Sequence, residues 1–201
     1  PLPRLRRGEL LVRVLATTVS SGATLGIAAN ATNPLIVAEN LTVSGTGVSA
    51  AGALQNAQTV AATLSGTVAL AGDTTIGVTN TGGLTLSGVI SGSTFGITKI
   101  GSGRLNVNGA NTYTGATVVN AGVLNVGGSL HATSAISVVP TVAGGAGLSL
   151  GSSSANPINS TAALTYGSAT GPTTLGFELG TNTAGSDAIN TTVAATTTGT
   201  V

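Results

Sequence analysis

The chain has 201 residues, of which 41% are hydrophobic, 5% charged and 2% aromatic. Disordered proteins combine low hydrophobicity with high charge, so this composition excludes disorder. Glycine lacks the period of three that collagen requires, and no apolar run reaches the roughly 18 residues of a membrane-spanning helix. Cysteine is absent, which excludes disulfides and thiolate sites.

The charges are unevenly distributed. Four of the six cations lie in the first 13 residues, and the rest of the chain has two cations against four acids. This remainder has no basic stripe, so we expect no nucleic-acid partner. The apolar run 10–15 follows the basic start but is interrupted by Arg13, which makes it too short for a signal peptide. We therefore predict that residues 1–20 are an atypical leader or a fragment boundary, and that residues 21–201 form one domain.

From about residue 20 onward, short segments of alternating apolar and polar residues are separated by Gly, Asn, Ser or Asp. Alternation with a period of two places the apolar side chains on one face of a β-strand. Val, Ile and Thr favour strands, whereas helix-forming Glu, Lys and Arg are scarce. The predicted strands in chain order are 41–43, 68–70, 75–78, 84–86, 95–97, 105–107, 118–119, 124–126, 136–138, 148–150 and 175–179.

An antiparallel sandwich or barrel and a β-solenoid both fit such an all-β chain. A sandwich core usually relies on bulky aromatic residues, but this chain has two Phe, two Tyr and no Trp. A solenoid core is narrow and is filled by stacked Leu, Val, Ile and Ala, so the composition favours the solenoid. At roughly 20–25 residues and about 4.8 Å per turn, we predict about eight or nine turns in a rod on the order of 40 Å long.

Few side chains are candidates for metal binding. His131 is the only histidine, and zinc would need further His or Cys ligands. We therefore expect His131 at the surface or at a corner. Segment 144–150 has Ser149 where a calcium-binding β-roll repeat needs Asp, so it is predicted to be a glycine-rich turn before a strand. These residues predict neither a metal nor a cofactor.

Carboxylates are equally sparse. Polysaccharide-cleaving β-helices need clustered acids for acid–base or calcium chemistry. A Ser-His-Asp triad around His131 is not expected either. We therefore predict no catalytic residue. The acids beyond the first segment are widely separated along the chain: Glu39, Asp73, Glu178 and Asp187.

The most specific motif is segment 99–126, KIGSGRLNVNGANTYTGATVVNAGVLNV. It resembles the autotransporter-associated β-strand repeat, whose pattern is K-x-G-x-G-x-L-x-L-x-G-x-N-T-Y-T-G-x-T-x-V-x-A-G-x-L. Segments 84–92 and 175–189 are similar to stretches that accompany this repeat, and the resemblance covers about half of the chain. The positions in register are Lys99, Gly101, Gly103, Leu105, Gly109, Asn111, Thr112, Tyr113, Thr114, Gly115, Thr117, Val119, Ala121, Gly122 and Leu124.

The resemblance implies a single-stranded, right-handed parallel β-helix of the kind found in autotransporter passengers, with its clearest repeat at 99–126. Within that repeat, alternation predicts that Leu105 and Val107 face the core and that Val119 and Leu124 return to it. A tyrosine hydroxyl needs a partner, so we expect Tyr113 at a corner with its tip in water. We expect Asn111 to bond to its own backbone at a turn and to stack on asparagines of adjacent turns. Three glycines are expected to supply the bends: Gly109, Gly115 and Gly122.

The same resemblance implies export and an extracellular or cell-surface location, associated with the outer membrane. The expected function is a non-catalytic surface scaffold that presents loops for adhesion or cell-surface contact, with glycans or other cell surfaces as partners. A purely structural spacer and a carbohydrate-active β-helix enzyme are the alternatives. We also expect self-association through the open ends of the helix. Membrane attachment would require a barrel or anchor, and we expect neither within this segment.

Overall fold

The computed structural model describes residues 16–27, 35–79, 81–131, 133–150, 158–160, 164–167, 171–177, 189–191 and 196–197. These residues form twenty short strands and one 3-10 turn at Val48–Ala50. No helix in this part of the chain is long and apolar enough to cross a membrane. The strands are β1 (Ala16–Val19), β2 (Leu25–Gly26), β3 (Leu35–Val37), β4 (Asn40–Gly45), β5 (Leu54–Asn56), β6 (Ala62–Leu64), β7 (Val68–Val78), β8 (Leu84–Leu86), β9 (Ile90–Ser91), β10 (Ile97–Ile100), β11 (Arg104–Val107), β12 (Thr117–Val119), β13 (Gly122–Val126), β14 (Ile136–Val138), β15 (Ala146–Leu150), β16 (Ile158–Ser160), β17 (Leu164–Tyr166), β18 (Thr173–Phe177), β19 (Ile189–Thr191) and β20 (Thr196–Thr197).

The described strands are stacked in parallel as a β-solenoid, which confirms the predicted fold class. One sheet has eleven strands, a second has seven in the order β18-β15-β13-β11-β8-β6-β3, and β16 pairs with β19. The long strand β7 divides the first sheet: Val68 pairs with β4 and β9, whereas Ile76 pairs with β5 and β10. The first sheet therefore supplies two columns of strands and the second supplies a third. Beyond β9, one column of the first sheet has only an isolated bridge between Ala110 and Ser129.

The structure describes fewer turns than the sequence predicted. The described strands form about six turns, against the eight or nine predicted for the whole chain. Six steps between the strands of the seven-stranded sheet give a length of roughly 30 Å at about 4.8 Å per step. The predicted turn length is correct, because the six steps from Leu35 to Leu175 average about 23 residues, but the prediction of eight or nine turns counted all 201 residues. Individual turns differ in length. One turn runs from Leu35 to its partner Ala62, whereas a later turn runs only from Leu105 to Leu124.

The interior is a stack of apolar side chains contributed by every turn. On the seven-stranded sheet, Leu84, Leu105 and Leu124 occupy one ladder and are each 0% exposed. Val107 and Val119 are also 0% exposed, which confirms the four core positions predicted within the repeat. Stacking of small aliphatic residues fills this narrow core without bulky aromatics.

Polar side chains form a continuous row on the outer face of the seven-stranded sheet. They alternate with the buried ladder and occupy matching positions in successive turns. Within the row, Asn106 Nδ2 donates to Thr85 Oγ1 at 3.1 Å. We call this row the polar stripe; it consists of Thr63, Thr85, Asn106, Asn125 and Ser149.

One corner of the solenoid is built from a column of glycines. A Cβ atom on Gly88 would overlap the carbonyl oxygen of Gly66, and one on Gly109 would overlap that of Gly88. A Cβ atom on Gly128 would likewise overlap the carbonyl oxygen of Gly109. Glycine is required here because the backbones of successive turns approach too closely for any side chain.

Replacing Gly109 by Ala is expected to lower the free energy of unfolding by about 2 kcal/mol, because the added methyl group forces adjacent turns apart. Gly144→Ala is the matched control, since a Cβ there has no atom within 4 Å. Urea denaturation of both variants measures the difference. Equal stability of the two variants would contradict the close-approach explanation.

Candidate functional site

The repeat segment 97–126 makes one complete turn of the solenoid and part of the next. Strands β10 and β11 lie above β7 and β8, and strands β12 and β13 lie between them and β14 and β15. The segment is therefore enclosed by a turn on each side. Its polar residues can bond to both neighbours, and four of them are buried: Lys99, Asn111, Tyr113 and Thr117.

Tyr113 lies inside the solenoid and is 0% exposed, so the prediction of a tip in water was wrong. Its hydroxyl is 2.6 Å from Thr117 Oγ1, which is 3.0 Å from Ser134 Oγ. Ser134 donates to the carbonyl oxygen of Gly115 at 2.7 Å. The bonds therefore run in one direction, from Tyr113 to Thr117 to Ser134 to Gly115, and every hydroxyl donates once.

The position of Thr117 explains why the hydroxyl of Tyr113 can be buried. Thr117 faces inward on β12, between the buried residues Ile97 and Ile136 of adjacent turns. It therefore supplies a polar partner within an apolar column. Burial raises the pKa of Tyr113 well above its usual range, while the bonds with Thr117 and Ser134 act in the opposite direction.

Asn111 joins three turns. Its Oδ1 accepts from the backbone N–H of Ile90 at 2.9 Å, and its Nδ2 donates to the carbonyl oxygen of Ser129 at 2.9 Å. The predicted bond to its own backbone was wrong, since both partners lie on neighbouring turns. The side chain is 4% exposed, so it serves backbone groups that water cannot reach.

Lys99 is buried within the apolar column formed by Ile76 and Val119, and it is 0% exposed. Its Nζ donates to the carbonyl oxygens of Ile100 at 2.8 Å, Gly101 at 2.6 Å and Ala121 at 3.1 Å. Within the described residues no carboxylate is among its partners. Burial lowers the pKa of this ammonium to about 8.

The repeat motif did not predict that Lys99 is buried, but the alternation of residues along β10 indicates it. Lys99 is two residues after Ile97, and residues two apart on a strand share a face. The alternation thus places Lys99 beside an inward isoleucine. A lysine at such a position must either reach solvent with its tip or find acceptors inside.

The remaining motif residues lie at the corners. Gly122 has a φ of 66°, a left-handed conformation that favours glycine, and Gly101 has a φ of 79°. The backbone of Gly115 approaches Phe95 too closely for a side chain. The three predicted bends at Gly109, Gly115 and Gly122 therefore lie at successive corners, but only Gly122 among them requires a positive φ.

The two threonines that flank Tyr113 form hydrogen bonds with the preceding turn. The backbone N–H of Thr112 donates to Ile90 at 2.9 Å, and that of Thr114 donates to Gly92 at 3.1 Å. Thr114 Oγ1 also accepts from the N–H of Thr94 at 2.8 Å. Gly103 is buried in the corner that leads to β11.

The residues considered for catalysis are not brought together in the described part of the chain. His131 is half-buried, with Nδ1 2.9 Å from Thr133 Oγ1. Asp73 Oδ1 accepts a hydrogen bond from the backbone N–H of Gly96 at 2.9 Å, so this carboxylate links two neighbouring turns. No group of three metal-binding side chains occurs among these residues. Glu178 and Asp187 lie outside the described residues.

Comparison with known proteins gives one family match. Residues 97–126 match the passenger-associated-transport-repeat. No curated protein and no solved structure matches the chain. The matched residues are those that contribute Lys99, Asn111 and Tyr113 to the interior and glycines to the corners. The segment 97–126 is therefore an autotransporter passenger repeat, and it forms a turn of a parallel β-solenoid.

Proposed function

We propose that this chain is a non-catalytic, exported scaffold that presents its surface for adhesion or cell-surface contact. The single observation that carries the proposal is the match of residues 97–126 to a passenger repeat. The repeat is integrated into the stack, since its strands pair with turns on both sides. The described chain thus fits a passenger domain, which is displayed outside the cell.

The geometry supports a mechanical role. Neighbouring turns are hydrogen-bonded along columns of parallel strands, and buried side chains fill the interior. Such a stack is stabilised mainly by contacts between neighbouring turns. A rod of this kind resists proteases and holds its surface at a fixed distance from its attachment point.

The polar stripe is the surface that we propose for contact with glycans. It presents hydroxyl and amide groups on successive turns, about 4.8 Å apart, and these groups can donate and accept hydrogen bonds. Sugar hydroxyls have the same dual capacity. Contacts of this type are individually weak, so binding would depend on several turns acting together.

A glycan array probed with the full chain tests this proposal. The stripe variant combines Thr85→Ala, Asn106→Ala and Asn125→Ala. The control combines Thr98→Ala and Ser137→Ala, which change half-buried outward positions on another face. We expect the stripe variant to bind about tenfold more weakly, equivalent to about 1.4 kcal/mol, and the control to bind normally. Background binding by the unmodified chain would contradict adhesion to glycans and favour a spacer.

Cell-surface location has its own test. Antibody against the purified chain should label intact cells that produce the protein, and added protease should remove the label. Labelling that requires permeabilised cells would contradict export.

A further inference from the structure

The Lys99 ammonium joins two consecutive turns at one corner. Two of its acceptors, Ile100 and Gly101, follow it directly in the chain, while the third, Ala121, belongs to the next turn. The distances from 2.6 to 3.1 Å are those of good hydrogen bonds. A primary ammonium has three N–H donors, and this corner offers one carbonyl to each.

A groove opens beside this corner. It has a volume of about 240 Å³ and is lined in part by Gly101 and Ala121, whose carbonyls bind the ammonium. Gly144 and the half-exposed Val142 also line it. A Cβ on Gly144 would meet no atom within 4 Å, so this side is open. The carbonyl cluster is therefore adjacent to a space that small molecules can enter.

We propose that the carbonyl oxygens of Ile100, Gly101 and Ala121 form a binding site for a primary alkylammonium group, and that Lys99 occupies it as a tethered ligand that clamps two turns together. The site recognises a primary ammonium because its three carbonyl acceptors match three N–H donors, whereas a neutral primary amine has only two. The chain thus blocks its own ammonium site. The proposal does not depend on the adhesive function.

Lys99→Ala vacates the site and removes the part of the side chain that n-propylammonium reproduces. We expect this variant to melt at a lower temperature than the unmodified chain. Added n-propylammonium should restore most of the loss, with the recovery rising with the logarithm of its concentration, as expected for a ligand of the folded state. Hydrogen exchange at residues 99–122 should slow in parallel.

Three comparisons separate recognition from unspecific effects. Tetramethylammonium carries the charge without N–H donors, and 1-propanol fills a similar volume without the charge; neither should restore stability. Lys99→Met keeps an apolar stem in the site, so it should not respond to n-propylammonium. Equal recovery with all three additives, or no recovery with n-propylammonium, would overturn the proposal.

If Lys99→Ala does not fold alone, refolding yield replaces melting temperature as the readout. The proposal then requires a higher yield with n-propylammonium than with tetramethylammonium. Equal yields would overturn it.

Discussion

Replacing Tyr113 by Ala is expected to lower the free energy of unfolding by about 4 kcal/mol, because it removes a fully buried ring from the interior. Tyr113→Phe keeps the ring and removes only the hydroxyl, so it should cost about 1 kcal/mol. Thr117 then loses one partner but still bonds to Ser134. Chemical denaturation of both variants measures the two effects.

The control for Tyr113→Ala is Val142→Ala, at an apolar side chain that is 47% exposed. A surface change of this kind should alter stability by less than about 0.5 kcal/mol. If Tyr113→Ala cost no more than the control, the tyrosine would not be part of the core.

Tyr113 also predicts a loss of stability at high pH. Its pKa in the folded chain is raised above the ordinary value of 10.0. Above about pH 10 the unfolded chain therefore releases a proton that the folded chain retains, and stability falls as pH rises, by at most about 1.4 kcal/mol per pH unit. The difference in stability between the unmodified chain and Tyr113→Phe isolates this contribution, and a difference that stays constant to pH 11 would contradict it.

Lys99 is expected to affect stability in the opposite direction, and at a lower pH than Tyr113. Its pKa is about 8 in the folded chain against 10.5 ordinarily, so below pH 8 the ammonium is charged in both states and the full cost of burial is present. Between pH 8 and 10.5 the unfolded chain binds a proton that the folded chain does not, so stability rises with pH, by at most about 1.4 kcal/mol per unit.

The measurement is urea denaturation at intervals from pH 7 to 10, a range that ends before Tyr113 contributes. Lys99→Met is the reference, because it has no titrating group at this position. Any change in its stability with pH over this range comes from groups that the unmodified chain also has. We compare the stability of the unmodified chain with that of Lys99→Met. If the stability of the unmodified chain relative to Lys99→Met stayed constant or fell from pH 8 to 10, the three carbonyls would outweigh the desolvation of the ammonium.

Much of the fold followed from local patterns. Alternation identified ten of the twenty described strands, and the segment 95–97 was the least accurate prediction, since β10 begins at Ile97. Segment 144–150 is a turn followed by β15, as predicted. The strand predicted at 175–179 is present as β18 as far as Phe177, and its last two residues lie outside the described part. Strand β6 was missed because Ala62 has only a methyl side chain, so its alternation with Leu64 is weaker than that of Leu84 and Leu86 in β8.

Sequence by itself determined the all-β class, the inward and outward faces of the repeat, and the family of residues 97–126. These depend on periods of two residues and on spacing within one segment, which local sequence encodes directly. It could not determine where each turn ends, because corner loops differ in length from one turn to the next.

Only the tertiary structure decided which polar residues lie inside. Asn111 and Lys99 bond to Ser129 and Ala121 of the adjacent turn. Tyr113 bonds to Thr117, whose own partner Ser134 lies further along the chain, before β14. Such contacts exist only once successive turns are stacked in register. The physical reason is that burial of a polar group depends on an acceptor or donor far along the chain, and a single segment of sequence cannot specify where that partner will lie.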